Sequence, residues 1–336
     1  MIRKFSIYAS VLVLLCACQK ENVASETDGE PIKFSSANFC METKADPGTI
    51  DFPTTRDMGV YAWRSDNAWS TTPALVAFIS NAKAVYDDDD ELWVTTPTYK
   101  WPSPQKKLHF LCYSPYSAAS PVSWSNSDGL KISGYTASGA DLCFSDFTLD
   151  QSREKGVGTP ADILMHHALS KVSFALSPKD VPAGLAPFVS EVKLNIVSLS
   201  LSGIMNKGDF SASLSTGGTW TGAAWSNQSG TATVVYTDGS VVLPQTLAEN
   251  KQKITVTYTI TVTYSSDTEH PVTSGQITET HDLKCAACGA WEINNHYIYT
   301  IKLDAFGDEL TFNPASADWD VDDEVIIKIG YEDPTI

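Results

Sequence analysis

Positive charge is scarce in this 336-residue chain. Its 23 Lys and Arg stand against 40 Asp and Glu, for a formal net charge of −17. So acidic a surface repels phosphate backbones, which argues against a nucleic-acid partner. Cysteine is sparse too, at seven residues. A chain of this length does not need disulfides to hold its core. Helical periodicity is nearly missing beyond the N-terminal stretch. After residues 5–15 no apolar run approaches the roughly 18 residues of a membrane-spanning helix. The chain has no Gly-x-Ser-x-Gly elbow, no His-Glu-x-x-His pair and no phosphate-binding loop. Nothing therefore points to an enzyme, a cofactor or a bound metal. No fixed-period repeat signals a solenoid or propeller.

What is present begins with an export pattern. Met1-Ile2-Arg3-Lys4 precedes the apolar run Phe5 to Leu15, followed by Cys16-Ala17-Cys18. Two cations, a short apolar stretch and a small residue before a cysteine read as a lipoprotein signal. The expected signal peptide is 1–17, leaving Cys18 as the lipidated N-terminus. Cys16 suits the role less well, because Leu15 before it is not small. Losing Arg3 and Lys4 makes the chain still more acidic. Residues 18–30 are polar and read as a flexible tether.

The remainder alternates in short runs rich in Thr, Ser, Val, Tyr and Trp, broken by Gly, Pro, Asn and Asp. That pattern predicts an antiparallel β-sandwich. Strands are expected at Ile32–Ser35, Met58–Trp63, Asn81–Tyr86, Leu92–Trp101 and Leu108–Tyr113, with one long strand over Ile163–Leu176. Ser177–Pro187 carries three prolines and reads as a linker. It divides the chain into domains 31–182 and 183–336. Further strands follow at Val192–Leu201, Thr233–Tyr236, Val241–Leu243, Lys253–Tyr264, Tyr297–Leu303 and Val325–Tyr331.

Four features could carry chemistry. Cys285-Ala286-Ala287-Cys288 could be redox-active at a helix N-terminus, but here it lies between strand-like segments. A local Cys285–Cys288 disulfide, or two plain thiols in a turn, suits that setting better. The run Asp87 to Glu91 lacks the spaced ligands of a calcium loop and reads as a solvated turn. His166 and His167 lie beside Asp162 and Ser170, but neighbours on a strand face opposite ways and cannot share one site. Of nine tryptophans, Trp69, Trp220 and Trp225 lie in Ser/Thr/Gly surroundings and are candidates for exposed stacking on sugars.

Taken in order, several segments resemble the fimbrillin family, the lipoprotein pilins of Bacteroidota that build type V pili. They are the Cys18 lipobox; an early strand followed by Thr43-Lys44-Ala45; Gly59-Val60-Tyr61-Ala62; and Tyr99-Lys100-Trp101-Pro102 leading into Leu108-His109-Phe110. Tyr113-Ser114-Pro115, His167 to Phe174, Leu243-Pro244-Gln245, Tyr297 with Tyr299, and Trp319 complete the set. The resemblance implies an all-β protein of two tandem transthyretin-like antiparallel β-sandwich domains, attached to the outer membrane by its lipid. It also implies that a trypsin-like protease cuts the loop after the first strand, about 31–40, and that a neighbouring subunit's strand fills the vacated groove. Lys44 and Arg56 are the candidate cleavage residues in loop 41–57. Lys44 stands where the family commonly has Arg, and Arg56 abuts the next strand. The candidate donor strand is Val325, Ile326, Ile327 and Ile329. The implied partners are other fimbrillin subunits and a host protein or glycan. The alternative is a monomeric glycan-binding lipoprotein of the outer-membrane surface.

Overall fold

β-branched and aromatic residues at a period of two build strands along nearly the whole chain. A computed structural model describes residues 29–40, 49–71, 74–103, 105–116, 122–125, 129–137, 139–153, 160–214, 220–235, 240–286, 288–303 and 311–318. In chain order the strands are β1 (Lys33–Cys40), β2 (Thr49–Asp51), β3 (Met58–Ser65), β4 (Val76–Asp87), β5 (Leu92–Thr96), β6 (Lys107–Ser114), β7 (Val122–Ser125), β8 (Gly129–Thr136), β9 (Cys143–Ser145), β10 (Thr148–Gln151), β11 (Ala161–His167) and β12 (Ser170–Pro178). They continue as β13 (Val189–Ile204), β14 (Lys207–Leu214), β15 (Trp220–Ser229), β16 (Ala232–Val235), β17 (Ser240–Val242), β18 (Gln245–Thr246), β19 (Lys253–Tyr264), β20 (Asp267–Thr273), β21 (Ile277–Asp282), β22 (Ala290–Trp291), β23 (Asn295–Leu303) and β24 (Thr311–Asp318).

The first sheet runs β6-β3-β4-β5-β1-β11-β9, and β9 also pairs with β6. The strands thereby close into a ring, with no free edge on that circuit. Phe34, Met58, Val60, Trp101, Phe110, Ile163 and Met165 fill its interior. Nearly every residue of β6 is buried. Its Phe110 faces the ring core while Leu111 faces a second cluster behind it, which is why Leu108–Tyr113 reads as an unbroken apolar run.

In the second half, β17-β12-β23-β24 faces a sheet in which β13 and β19 are central. Leu201, Ile254, Tyr258, Trp291 and Tyr299 pack between them. A further sheet, β15-β14-β8-β7, joins strands from both halves. Its apolar face covers Leu111, Phe144, Phe147 and Leu169. Gly129 enables the close approach of β8 to β14. Its φ is +72°, and a Cβ there would lie 2.0 Å from the Ala212 carbonyl oxygen.

Two expectations change. Ile163–Leu176 is not one strand. The chain breaks at Ala168-Leu169, so β11 belongs to the ring and β12 to the second sandwich. The sheets are also not purely antiparallel, because β1–β11 and β12–β23 pair in parallel.

Candidate functional site

β1 enters the ring between β5 and β11. Phe34 pairs with Ala161 and Ala37 with Ile163 on the parallel side. On the other side only Lys33 and Phe34 pair with β5, opposite Val94 and Trp93. Farther along, Asn38 to Cys40 pair with β2. The segment just before β1 is tied down as well, since Ile32 N–H donates to Tyr99 O and Trp101 N–H to Glu30 O, both at 2.9 Å. Lys33 forms a 2.7 Å ion pair with Asp90, and the Ser35 hydroxyl donates to Asp162. The Phe34 ring is fully buried and meets Phe110 edge-on at 5.2 Å. Taking β1 away would unpair one side of β11 and uncover Phe110 and the apolar residues around it. A trench of that kind accepts another strand.

Cys18, Lys44 and the donor residues Val325, Ile326, Ile327 and Ile329 lie outside the described residues. Lys44 falls in 41–48, the connection from β1 to β2. Arg56 is described, and its side chain is engaged. Its Nη1 donates to Asp141 Oδ2 at 3.2 Å and reaches Cys143 Sγ at 3.5 Å, while the guanidinium lies over the Phe52 ring. Its backbone oxygen accepts from Trp93 Nε1 at 3.3 Å. Burial disfavours the guanidinium charge, but Cys143 and Asp141 outweigh it and raise the Arg56 pKa. A protease that reads an arginine side chain would first have to pull this one out of its ion pair.

Sequence reasoning missed the group Arg56 joins. Asp141 lies just ahead of β9, two residues before Cys143, and both are buried. His167 is the cross-strand neighbour of Cys143. Asp141 Oδ2 lies 2.7 Å from His167 Nδ1 and 3.1 Å from Cys143 Sγ. Cys143 Sγ lies 3.9 Å from that ring nitrogen. Asp141 is only 4% exposed and its Oδ1 has no hydrogen-bond partner among the described residues. Burial pushes its carboxyl pKa up, yet His167 and Arg56 together hold it below the usual value. Burial and the neighbouring Asp141 raise the Cys143 thiol well above its usual value. The Asp-x-Cys spacing was visible in the sequence, but the register that sets His167 opposite Cys143 was not. His166 does face the other way, onto Asp146 at 3.0 Å.

A second buried histidine resembles a hydrolytic triad and is not one. Ser65 Oγ lies 2.8 Å from His109 Nε2, and Asp150 is nearby. However, His109 Nδ1 accepts from the Asp150 backbone N–H at 3.1 Å, so its proton sits on Nε2 and points at the serine. That tautomer cannot take the serine's proton.

The remaining features are structural in character. Cys285 and Cys288 exchange both backbone hydrogen bonds across a two-residue turn. Both are free thiols here, and Cys288 Sγ lies 3.4 Å from the Tyr299 hydroxyl. The Asp87 carboxylate accepts from the N–H groups of Asp89 and Asp90 within its own turn. Trp69, Trp220 and Trp225 are half-buried against the cluster behind β6. Trp220 and Trp225 donate to the Ser145 and Ala168 carbonyls, so none of the three is an open stacking platform.

Comparison with known proteins adds the family context. The model of a family described as fimbrillin-like matches residues 43–319. No curated protein matches the chain. Among solved structures, a proposed cell-adhesion protein from Bacteroides uniformis is 15% identical with a TM-score of 0.48, covering 86% of this chain and 98% of that one. A fimbrial protein from Bacteroides vulgatus is 15% identical with a TM-score of 0.46, over 85% of this chain and 99% of that one. The tip fimbrial protein Mfa3 from Porphyromonas gingivalis, with a C-terminal truncation, is 9% identical with a TM-score of 0.35, over 86% and 100%.

Proposed function

The chain belongs to the fimbrillin-like family, and on that premise we propose that it polymerises into a surface fimbria by strand exchange through the β1 groove. It is an adhesive, structural fimbrial subunit of the cell surface and not an enzyme. In the proposed sequence of events, Cys18 carries a lipid that holds the precursor at the outer membrane. A trypsin-like protease then cuts within 41–48, at Lys44, and β1 leaves. A neighbour's strand, with residues Val325, Ile326, Ile327 and Ile329 as donor, takes its place beside β11 and β5.

The observation that carries this reading is the way β1 is held. It forms part of a closed ring wall and covers the Phe110 side of the core, but pairs with β5 at only two residues. Losing it would leave ladder groups and apolar surface that only another strand can satisfy together. The engaged Arg56 favours Lys44 as the cut site.

The reading is tested with protein that begins at residue 45. That chain should assemble into polymers resistant to denaturing detergent. A synthetic peptide of residues 31–40 in excess should suppress assembly by occupying the groove. A folded, stable monomer that ignores the peptide would overturn the reading.

A further inference from the structure

We propose that Asp141, Cys143 and His167 form a binding site for a single transition-metal ion of the zinc class, built on the β9–β11 pair. The three side chains offer one oxygen, one sulfur and one nitrogen donor, a set that suits zinc and its borderline neighbours. Asp141 stands two residues before Cys143, just ahead of β9, and His167 lies directly across the ladder from Cys143. Their separations of 2.7, 3.1 and 3.9 Å bracket the spacing a tetrahedral ion would impose, about 3.3–3.6 Å from its usual bond lengths. Sub-ångström shifts would bring all three onto one centre.

A further observation points to a ligand. The Asp141 Oδ1 is buried without a hydrogen-bond partner among the described residues, a costly state that a second bond to a metal would relieve. The Arg56 guanidinium contacts both Asp141 Oδ2 and Cys143 Sγ and is the competitor an ion would have to displace. Its side chain is 30% exposed, so an incoming metal ion could displace it toward solvent and take the fourth position. Binding would release the Cys143 thiol proton and any proton on His167 Nδ1, so affinity should rise with pH. The metal would staple β9 to β11, the strand that stays behind if β1 is removed. The site does not depend on strand exchange, and each can fail without the other.

The experiment uses cobalt(II) as the probe, titrated into purified protein carrying Cys285→Ser and Cys288→Ser, so that the turn thiols cannot contribute. One equivalent should produce a near-ultraviolet thiolate-to-cobalt charge-transfer band, and zinc should displace it. Adding Cys143→Ser should abolish the band, with circular dichroism confirming that the variant is folded. Arg56→Ala keeps all three ligands and removes a competing cation, so it should tighten binding several-fold. Absence of the band in the folded parent, its survival in Cys143→Ser, or weaker binding in Arg56→Ala would each overturn the proposal.

Discussion

β1 and β19 are both strands beside a hydrophobic core, yet the protein fastens them differently. β19 pairs with β13 along its whole length, from Lys253 to Tyr264, and its other side is taken by β21 and then β20. Its outer face is laced by hydroxyl pairs, Thr255–Thr280 and Thr257–Thr278 at 3.0 Å and Thr261–Thr273 at 2.9 Å. Its inner face buries Ile254, Val256, Tyr258 and Ile260. β1 meets β5 at two residues, and its far end leans on the short β2. If β1 is exchanged as proposed, burial alone does not make a strand permanent. The extent of its ladder on both sides decides how independently it can leave.

The largest effects should come from the rings that β1 buries. Phe34→Ala should cost the intact protein about 3–5 kcal/mol. Phe110→Ala should cost about as much, by the same loss of aromatic packing. Denaturant unfolding of the intact chain and of protein beginning at residue 45 separates the two. The Phe110 penalty should shrink in the shorter chain, where β1 no longer covers that ring, and Phe34 is absent from it. Equal behaviour of intact and shortened protein at Phe110 and in stability would show that β1 contributes nothing to the ring.

Next in size is the buried charge cluster. Asp141→Asn leaves Arg56 and His167 without their carboxylate and should cost about 3 kcal/mol. It should also make the bond after Arg56 cleavable by trypsin, read by N-terminal sequencing. Acid should act in two windows. The His109 ring is held below its usual 6.5, mainly by burial, so the unfolded chain takes up that proton first. Stability should start to fall as the pH drops below about 6.5 and continue to the lower folded value. The Asp141 carboxyl is held below its usual 3.8, so its contribution is complete above that pH and is lost as the pH falls through the folded value. His109→Gln should remove the upper window and leave the lower one, measured by unfolding across a pH series.

Gly129→Ala should cost about 2–3 kcal/mol, because the left-handed backbone and the Ala212 carbonyl both exclude a methyl group. The loss should concentrate in the sheet that joins the two halves, seen as faster amide exchange in β8 and β14. The smallest change is Thr257→Val, which removes one cross-strand hydroxyl pair on β19 and should cost under about 1 kcal/mol.

Much of this was readable from local pattern. Lys253–Tyr264 alternates so regularly that its strand has the expected bounds, and Met58–Trp63 and Leu108–Tyr113 fall within β3 and β6. What local pattern lacks is pairing. Ala168-Leu169 looks like the middle of a strand because both residues are buried, although the chain changes sheets there. β14 and β15 escaped notice because their Ser, Ala and Gly content is weakly β-prone, and β8, which pairs with the other side of β14, lies far away in sequence. Asp141, Cys143 and His167 meet only through the β9–β11 register. Arg56 read as an accessible cleavage candidate in a loop because nothing near it in sequence carries the carboxylate it binds.

The central claim is that β1 is the exchangeable wall and Arg56 a locked one. Limited digestion of the intact purified protein with a trypsin-like protease, followed by N-terminal sequencing and an unboiled denaturing gel, tests it most directly. The account predicts a new N-terminus at Ala45 and a heat-sensitive ladder of polymers. A new N-terminus at Asp57, or a clean cut that leaves only monomer, would contradict it.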